Sequence, residues 1–188
     1  MNEQTYSAKA IEILDAAERH MRSGGFDAVS FRDLANEVGI KSASVHYHFP
    51  QKGDLGEAVV RRYTERFLAT LGPADDPSEA VADRIKRLCE AYKTAVVTDG
   101  LVCLCSVLGA ESPKLPGAVA DAVDAFFKRV LGWTETALQA KPEAAPICSL
   151  KASHIVASLQ GAMILALVTK QPALFTETEV SLMAEIGR

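Results

Sequence analysis

An all-helical fold is predicted by three features of the sequence. Apolar residues recur at spacings of three and four rather than in alternation. Hydrophobic residues make up 48% of 188, enough to bury a core, with 23% charged and only 6% aromatic. Helix start and stop signals bracket the periodic stretches, and Pro113, Pro116, Pro142, Pro146 and Pro172 punctuate the gaps in the second half.

The elements follow in order. Ala10, Ile11, Leu14, Ala17 and Met21 form a stripe over residues 7–22 that stops at Ser23-Gly24-Gly25. Ser30 with Asp33 reads as a capping box opening a short helix, with Phe31, Leu34, Ala35 and Val38 as its buried stripe and Gly39 as its stop. Gly39-Ile40-Lys41 is then a tight turn, and Ser42 can cap a third helix over 43–48, closed by Phe49-Pro50. Two short helices joined by a glycine turn are the helix-turn-helix pattern.

A fourth helix is expected over 54–71, with Leu55, Ala58, Val59, Tyr63, Phe67 and Leu71 on one side. Residues 72–77, Gly-Pro-Ala-Asp-Asp-Pro, break it and mark a domain boundary. Five more helices are expected at 78–98, 101–110, 116–138, 147–170 and from Thr176 onward, where Thr176 and Glu179 read as a second capping box. This gives about nine helices in three parts: a three-helix head over 1–52, a connecting helix and linker over 53–76, and a larger helical domain over 77–188.

Composition narrows the class. No run approaches eighteen uninterrupted apolar residues, and Met1-Asn2-Glu3-Gln4 lacks the basic-then-apolar order of a signal peptide, so a cytoplasmic protein without a membrane partner is expected. Cys89, Cys103, Cys105 and Cys148 show no CxxC pairing; residues two apart such as Cys103 and Cys105 do not share a helix face, so packing is expected rather than bridging. No H-E-x-x-H, G-x-S-x-G or phosphate-cradling glycine loop is present, so neither enzyme, cofactor nor metal is expected. Net charge is −4, and residues 1–71 hold 9 Lys+Arg against 10 Asp+Glu, which lacks the bulk basic signature of many nucleic-acid binders. Phosphate contacts depend on a few placed groups, so this does not exclude DNA.

In a helix-turn-helix the second helix enters the major groove with its N-terminal residues toward base edges. Ser42, Ala43, Ser44 and Tyr47 can reach a base edge or a thymine methyl, while Val45, Phe49 and Leu34 anchor the helix. Ser30, His46, His48 and Lys52 can hold phosphates.

Gly39-Ile40-Lys41-Ser42-Ala43-Ser44-Val45-His46-Tyr47-His48-Phe49, followed by Lys52 and Leu55, resembles the signature of TetR-family transcriptional regulators. The run from Gly25-Phe26 through Arg32-Asp33-Leu34-Ala35 to Val38-Gly39 fits as well, and the resemblance covers about residues 7–70. It departs at His46, where tyrosine is usual, and at Lys41, where a small polar residue is common; His46 is expected to take over a phosphate contact and Lys41 to add charge near the backbone.

The resemblance implies an N-terminal DNA-binding domain followed by an effector-binding and dimerisation domain, hence a homodimer on double-stranded pseudo-palindromic operator DNA, released by a small-molecule effector. Tyr92, Cys103, Phe126, Phe127, Trp133, His154 and Met163 are candidate effector contacts, with Gln160 and Glu111 as further polar candidates. Small residues at Ala157, Ser158, Gly161 and Ala162, with Leu165, suit close approach of a second copy. The alternatives are a helical interaction module that never touches DNA, and a thiol or metal sensor built from the cysteines with His154.

Overall fold

The structure is a computed structural model that describes residues 6–95, 100–139 and 145–186, with backbone alone over 145–147. Among these residues nine α-helices and no strand occur: α1 Ala8–Gly24, α2 Phe31–Val38, α3 Ser42–His48, α4 Lys52–Leu71, α5 Val81–Lys93, α6 Leu104–Ala110, α7 Gly117–Leu138, α8 Ala145–Thr169 and α9 Ala173–Ile186. Short 3-10 turns at Phe26–Ala28 and Ser112–Lys114 precede α2 and α7. The expected helix end at Thr98 and the expected break at Pro142 lie outside the described residues.

By compactness the chain divides into two units, Met1–Arg66 with Leu104–Phe126, and Phe67–Cys103 with Phe127–Arg188. In the first, α1 packs on α2, α3 and α6. Ile13, Leu14, Ala17 and Met21 of α1, Leu34 of α2, Val45 of α3 and Leu55 of α4 are fully buried there. In the second, α8 and α9 pack along each other and α5 lies against both, around Ile85, Leu88, Tyr92, Leu159, Met163 and Phe175.

Local signals explain the helix ends of the first unit. Ser7 Oγ accepts from the Ala10 N–H at 3.2 Å, and Ser30 Oγ accepts from the Asp33 N–H at 3.4 Å, each satisfying an orphan amide of a first turn. Gly39 is left-handed (φ 71°, ψ 38°), and its N–H and that of Ile40 return to carbonyls of α2, the geometry that stops a helix and turns the chain toward α3.

The start of α3 differs from expectation. Lys41, not Ser42, is the capping residue; it contributes no side-chain bond, and Ser42 is the first helical residue. In the second unit, α5 begins three residues later than expected, because the N–H and Oγ of Ser78 both donate to Asp76 Oδ1 (2.9 and 2.6 Å) and hold a turn. The buried guanidinium of Arg84 (6% exposed) keeps that loop out of the helix by donating to the carbonyls of Ala74, Asp76, Glu79 and Ala137 at 2.8–3.3 Å. Arg87 reaches the Pro73 carbonyl (2.6 Å) and Glu79 (2.9 Å), and Trp133 Nε1 donates to the Gly72 carbonyl (2.8 Å).

Two further starts shift. α6 begins at Leu104 rather than 101, with the Leu101 N–H spent on the Ala95 carbonyl. α9 begins at Ala173, directly after Pro172, so Thr176 sits inside the helix; Glu179 is no capping partner, being buried and accepting from Lys93 Nζ at 3.2 Å. Over Cys148–Thr169, α8 is long and apolar enough to cross a bilayer by length and composition alone, and part of that apolar surface, Leu150, Ile164, Leu165, Leu167 and Val168, is exposed.

Candidate nucleic-acid interface

Helix α3 is seven residues long, so only one side can be buried. Val45 occupies it with no exposed surface, and Phe49 closes the helix with its N–H on the Val45 carbonyl at 2.8 Å. Everything else expected to meet DNA from this helix then lies toward solvent. Lys41, Ala43, His46 and Tyr47 are exposed, Ser42, Ser44 and His48 are half-buried, and Tyr47 at 84% is the most exposed large hydrophobic side chain among the described residues. Solvent exposure on this scale costs a tyrosine its packing energy, so Val45 and Phe49 carry the anchoring of the helix.

The flanking candidates are held by specific neighbours. His46 lies edge-on to the Phe31 ring (centroids 4.6 Å), and its Nδ1 is 3.4 Å from the Pro50 carbonyl, toward which it is the donor. Phe31, expected in the buried stripe of α2, is half-buried and braces His46. His48 contacts the rings of Tyr47 and Phe49 at 5.4 and 6.4 Å. Lys52 Nζ sits 4.7 Å over the Phe26 ring and donates to the Asp27 carbonyl at 3.4 Å, with Asp27 Oδ1 at 3.8 Å. Ser30 Oγ is engaged by the Asp33 amide.

The roles of Phe31 and Phe26 were not visible in spacing. Phe31 reads as an ordinary stripe residue, and only the fold brings it to His46.

The effector candidates are spread between the two units. In the second, the Tyr92 ring packs on Phe67 (4.9 Å), and its hydroxyl accepts from Gln160 Nε2 at 3.0 Å, a polar pair among apolar side chains. Cys103 and Met163 are fully buried in the same unit, and Phe127 and Trp133 are half-buried. Phe126 belongs to the first unit, its ring 5.8 Å from Tyr63. His154 is exposed and faces Glu185 at 3.8 Å. Glu111 is in the first unit, where Oε2 accepts from the Phe26 N–H at 2.8 Å.

Of the interface candidates, Ala157 and Leu165 are exposed, Ser158 and Gly161 are half-buried, and Ala162 turns inward and is buried within its own chain. All four cysteines are free and buried, and burial pushes the Cys89 thiol up to about 12, with Glu179 and Glu90 adding to the effect. No cluster of three or more His, Cys, Asp or Glu able to hold a metal occurs among the described residues.

Comparison with known proteins agrees with this geometry. The family model described as bacterial regulatory proteins, tetR family, matches residues 13–59, the span from α1 through the first turns of α4. The HTH-type nicotine-responsive transcriptional repressor HdnoR of Paenarthrobacter nicotinovorans is 28% identical over 90 residues, 48% of this chain and 46% of its own length. The HTH-type transcriptional regulator RutR of Escherichia coli O157:H7 is 26% identical over 135 residues, 69% of this chain and 64% of its own. The matched stretches thus span between about half and two-thirds of these curated relatives.

Among solved structures, a TetR transcriptional regulator from Legionella pneumophila superposes with a TM-score of 0.87 at 26% identity, covering 97% of both chains. The helix-turn-helix is thus matched by the tetR family model over residues 13–59, and the helical order is followed nearly end to end by a solved TetR regulator, to which the chain is similar throughout.

Proposed function

We propose that this protein is a cytoplasmic, ligand-responsive transcriptional repressor that binds a pseudo-palindromic operator as a homodimer and is released by a small, largely apolar effector. The observation that carries the DNA-binding part is the outward face of α3, where Tyr47 is 84% exposed on a helix pinned by buried Val45. Ser42, Ala43, Ser44 and Tyr47 read base edges; Ser30, Lys41, His46, His48 and Lys52 contact the phosphate backbone. With Nδ1 donating to the Pro50 carbonyl, His46 can donate through Nε2 to a phosphate oxygen only as the doubly protonated ring, in which both nitrogens are donors.

Two copies are needed, because two recognition helices must meet half-sites about 34 Å apart. The face of α8 with Ala157, Ser158, Gly161 and Leu165 meets its counterpart. Exposed Leu165 (56%), Val168 (74%) and, on α9, Val180 (62%) support this reading, and nothing stands within 4 Å of where a Gly161 side chain would begin. Ala162, being inward, supports the face from beneath.

The effector is bound in the second unit by candidates among Tyr92, Cys103, Phe127, Trp133 and Met163, with Gln160 beside Tyr92 as polar contact. It acts by favouring a conformation that no longer fits the operator, and its leverage equals its affinity difference between the two states.

DNA selected by the purified protein from a random pool, then titrated by fluorescence anisotropy across a salt series, tests the central claim. Sequence-selective binding with a steep salt slope is expected. Lys52→Ala weakens binding to all sequences, and Tyr47→Ala changes which sequence is preferred. Absence of selective binding overturns the reading. Leu165→Glu is expected to convert a dimer into a monomer in sedimentation velocity, and an unchanged assembly refutes the α8 interface.

A further inference from the structure

The turn that leads into the helix-turn-helix is tied to a residue far along the chain. Glu111 follows directly on α6, its own N–H bonded to the Leu108 carbonyl (3.0 Å) and its carbonyl taken by the Lys114 N–H (2.8 Å), so its backbone moves with the end of that helix. Its Oε2 accepts the Phe26 N–H at 2.8 Å across 85 residues of sequence. The approach depends on Gly25: a Cβ there would collide with Oε1 and lie 2.7 Å from Cδ of Glu111.

Phe26 is in turn a junction. Its carbonyl receives the Val29 N–H (3.3 Å), fixing the turn whose next residue, Ser30, caps α2. Its ring lies under Lys52 Nζ (4.7 Å) and against the α4 backbone at Gly56, where a Cβ would be 2.7 Å from Cε2. All of these residues belong to the first unit.

We propose that Glu111 is a positioning residue that couples the C-terminal end of α6 to the Phe26 turn, and through it sets both the start of α2 and the location of Lys52. A shift of the α6 end either drags the Phe26 amide or breaks its bond, and Ser30 and Lys52 are disturbed together. Control of the head then enters through the α1–α2 turn. The proposal deepens the repressor reading and rests on it for the roles of Ser30 and Lys52.

The test uses the full-length chain without effector. Amide exchange by NMR, thermal midpoint and anisotropy on DNA selected by the unaltered protein are measured for Glu111→Ala and Glu111→Gln; glutamine keeps an acceptor oxygen. Glu111→Ala is expected to speed exchange at Phe26 by about tenfold or more, as loss of a bond to a charged acceptor does, and to spread faster exchange into α2. DNA affinity falls several-fold, Glu111→Gln restores most of both, and α5, α8 and α9 exchange as before.

Unchanged exchange over 26–38 overturns the proposal, as does equal acceleration throughout the chain or an unaffected DNA affinity. Should Glu111→Ala not fold, Glu111→Asp, one methylene short of the amide, carries the same readouts and the same refuting outcomes. Failure of the unaltered protein to bind DNA removes the repressor reading instead, while the exchange arm still decides whether α6 holds the turn.

Discussion

Gly25→Ala offers a quantitative check on the geometry of the head. Gly25 has φ 79° and ψ −175°, a region nearly confined to glycine, where another residue costs about 1–3 kcal/mol. The added Cβ also meets the Glu111 carboxylate, which must withdraw and give up the Phe26 N–H. A hydrogen bond to a charged acceptor is worth about 1.5–3 kcal/mol, so the total loss is about 2.5–6 kcal/mol, a large part of the about 5–15 kcal/mol that holds a typical domain folded.

In a Glu111→Ala background the bond is already lost and the collision gone, so Gly25→Ala there should cost only the backbone share, about 1–3 kcal/mol. Urea unfolding of the four proteins followed by circular dichroism gives a coupling of about 1.5–3 kcal/mol. Gly39→Ala is the control: φ is 71°, but nothing lies within 4 Å of its Cβ position, so about 1–2 kcal/mol is expected with no dependence on Glu111. A Gly25→Ala cost that is the same in both backgrounds refutes the argument that the glycine makes room for the carboxylate.

Three other outcomes follow from the second unit and the head. Arg84→Ala strands four carbonyls around residues 74–79 and at Ala137 and leaves a cavity, so a loss of about 3–5 kcal/mol in urea unfolding is expected. Arg84→Lys, with one nitrogen in place of a fork, recovers less than half, and full recovery would count against the strap. With Cys89 pushed up to about 12 and all four thiols buried, a disulfide-exchange reagent at pH 8 should modify less than one thiol per folded chain within minutes and four after unfolding; rapid reaction of the folded protein would revive the thiol-sensor reading.

The third concerns acid. Hydrogen bonds from Arg19 and then His20 hold the Glu37 carboxyl below its usual value of 4.5, so its contribution is present above that value and is lost as pH falls through the lower folded one. Glu37→Gln should therefore flatten the acid limb of the stability curve by the about 0.2–1 kcal/mol of an exposed pair, measured by thermal unfolding between pH 3 and 7; an unchanged limb refutes it.

What the sequence makes legible here is what is decided locally. Ser30 and Gly39 announce the ends of α2 because a cap and a left-handed stop are settled within a few residues, and both appear as expected. The helix start expected at residue 78 and the capping box expected at Thr176 with Glu179 mislead, because a hydroxyl or carboxylate meets a nearer or more distant competitor: Asp76 claims Ser78, and Lys93, 86 residues away, claims Glu179. Val45 as the anchor of α3 and Tyr47 as an outward residue could be read from helical spacing. The bracing of His46 by Phe31 and the tie from Glu111 to Phe26 could not, since neither partner changes a period or a motif and both depend on how helices are brought together.

The acidic balance of the head, which the sequence sets against DNA binding, loses its force once the charges are located. Half of the ten carboxylates in residues 1–71 are ion-paired along α1, α2 and α4: Glu12 with Lys9, Asp15 with Arg62, Glu18 with Arg66, Glu37 with Arg19 and Glu57 with Arg61, all at 2.7–3.1 Å. From residue 41 through 52, the turn, α3 and the first residue of α4, the sequence contains Lys41, Lys52 and two histidines and not one Asp or Glu. Because charges more than about 8–10 Å apart are largely screened at physiological salt, a phosphate arriving at α3 responds to this segment far more than to the paired acids behind it. Net charge sums over the whole head, whereas binding samples one face of it, and there residues 41–52 bring two lysines and no carboxylate of their own, with Asp27 3.8 Å from Lys52 as an acid beside them.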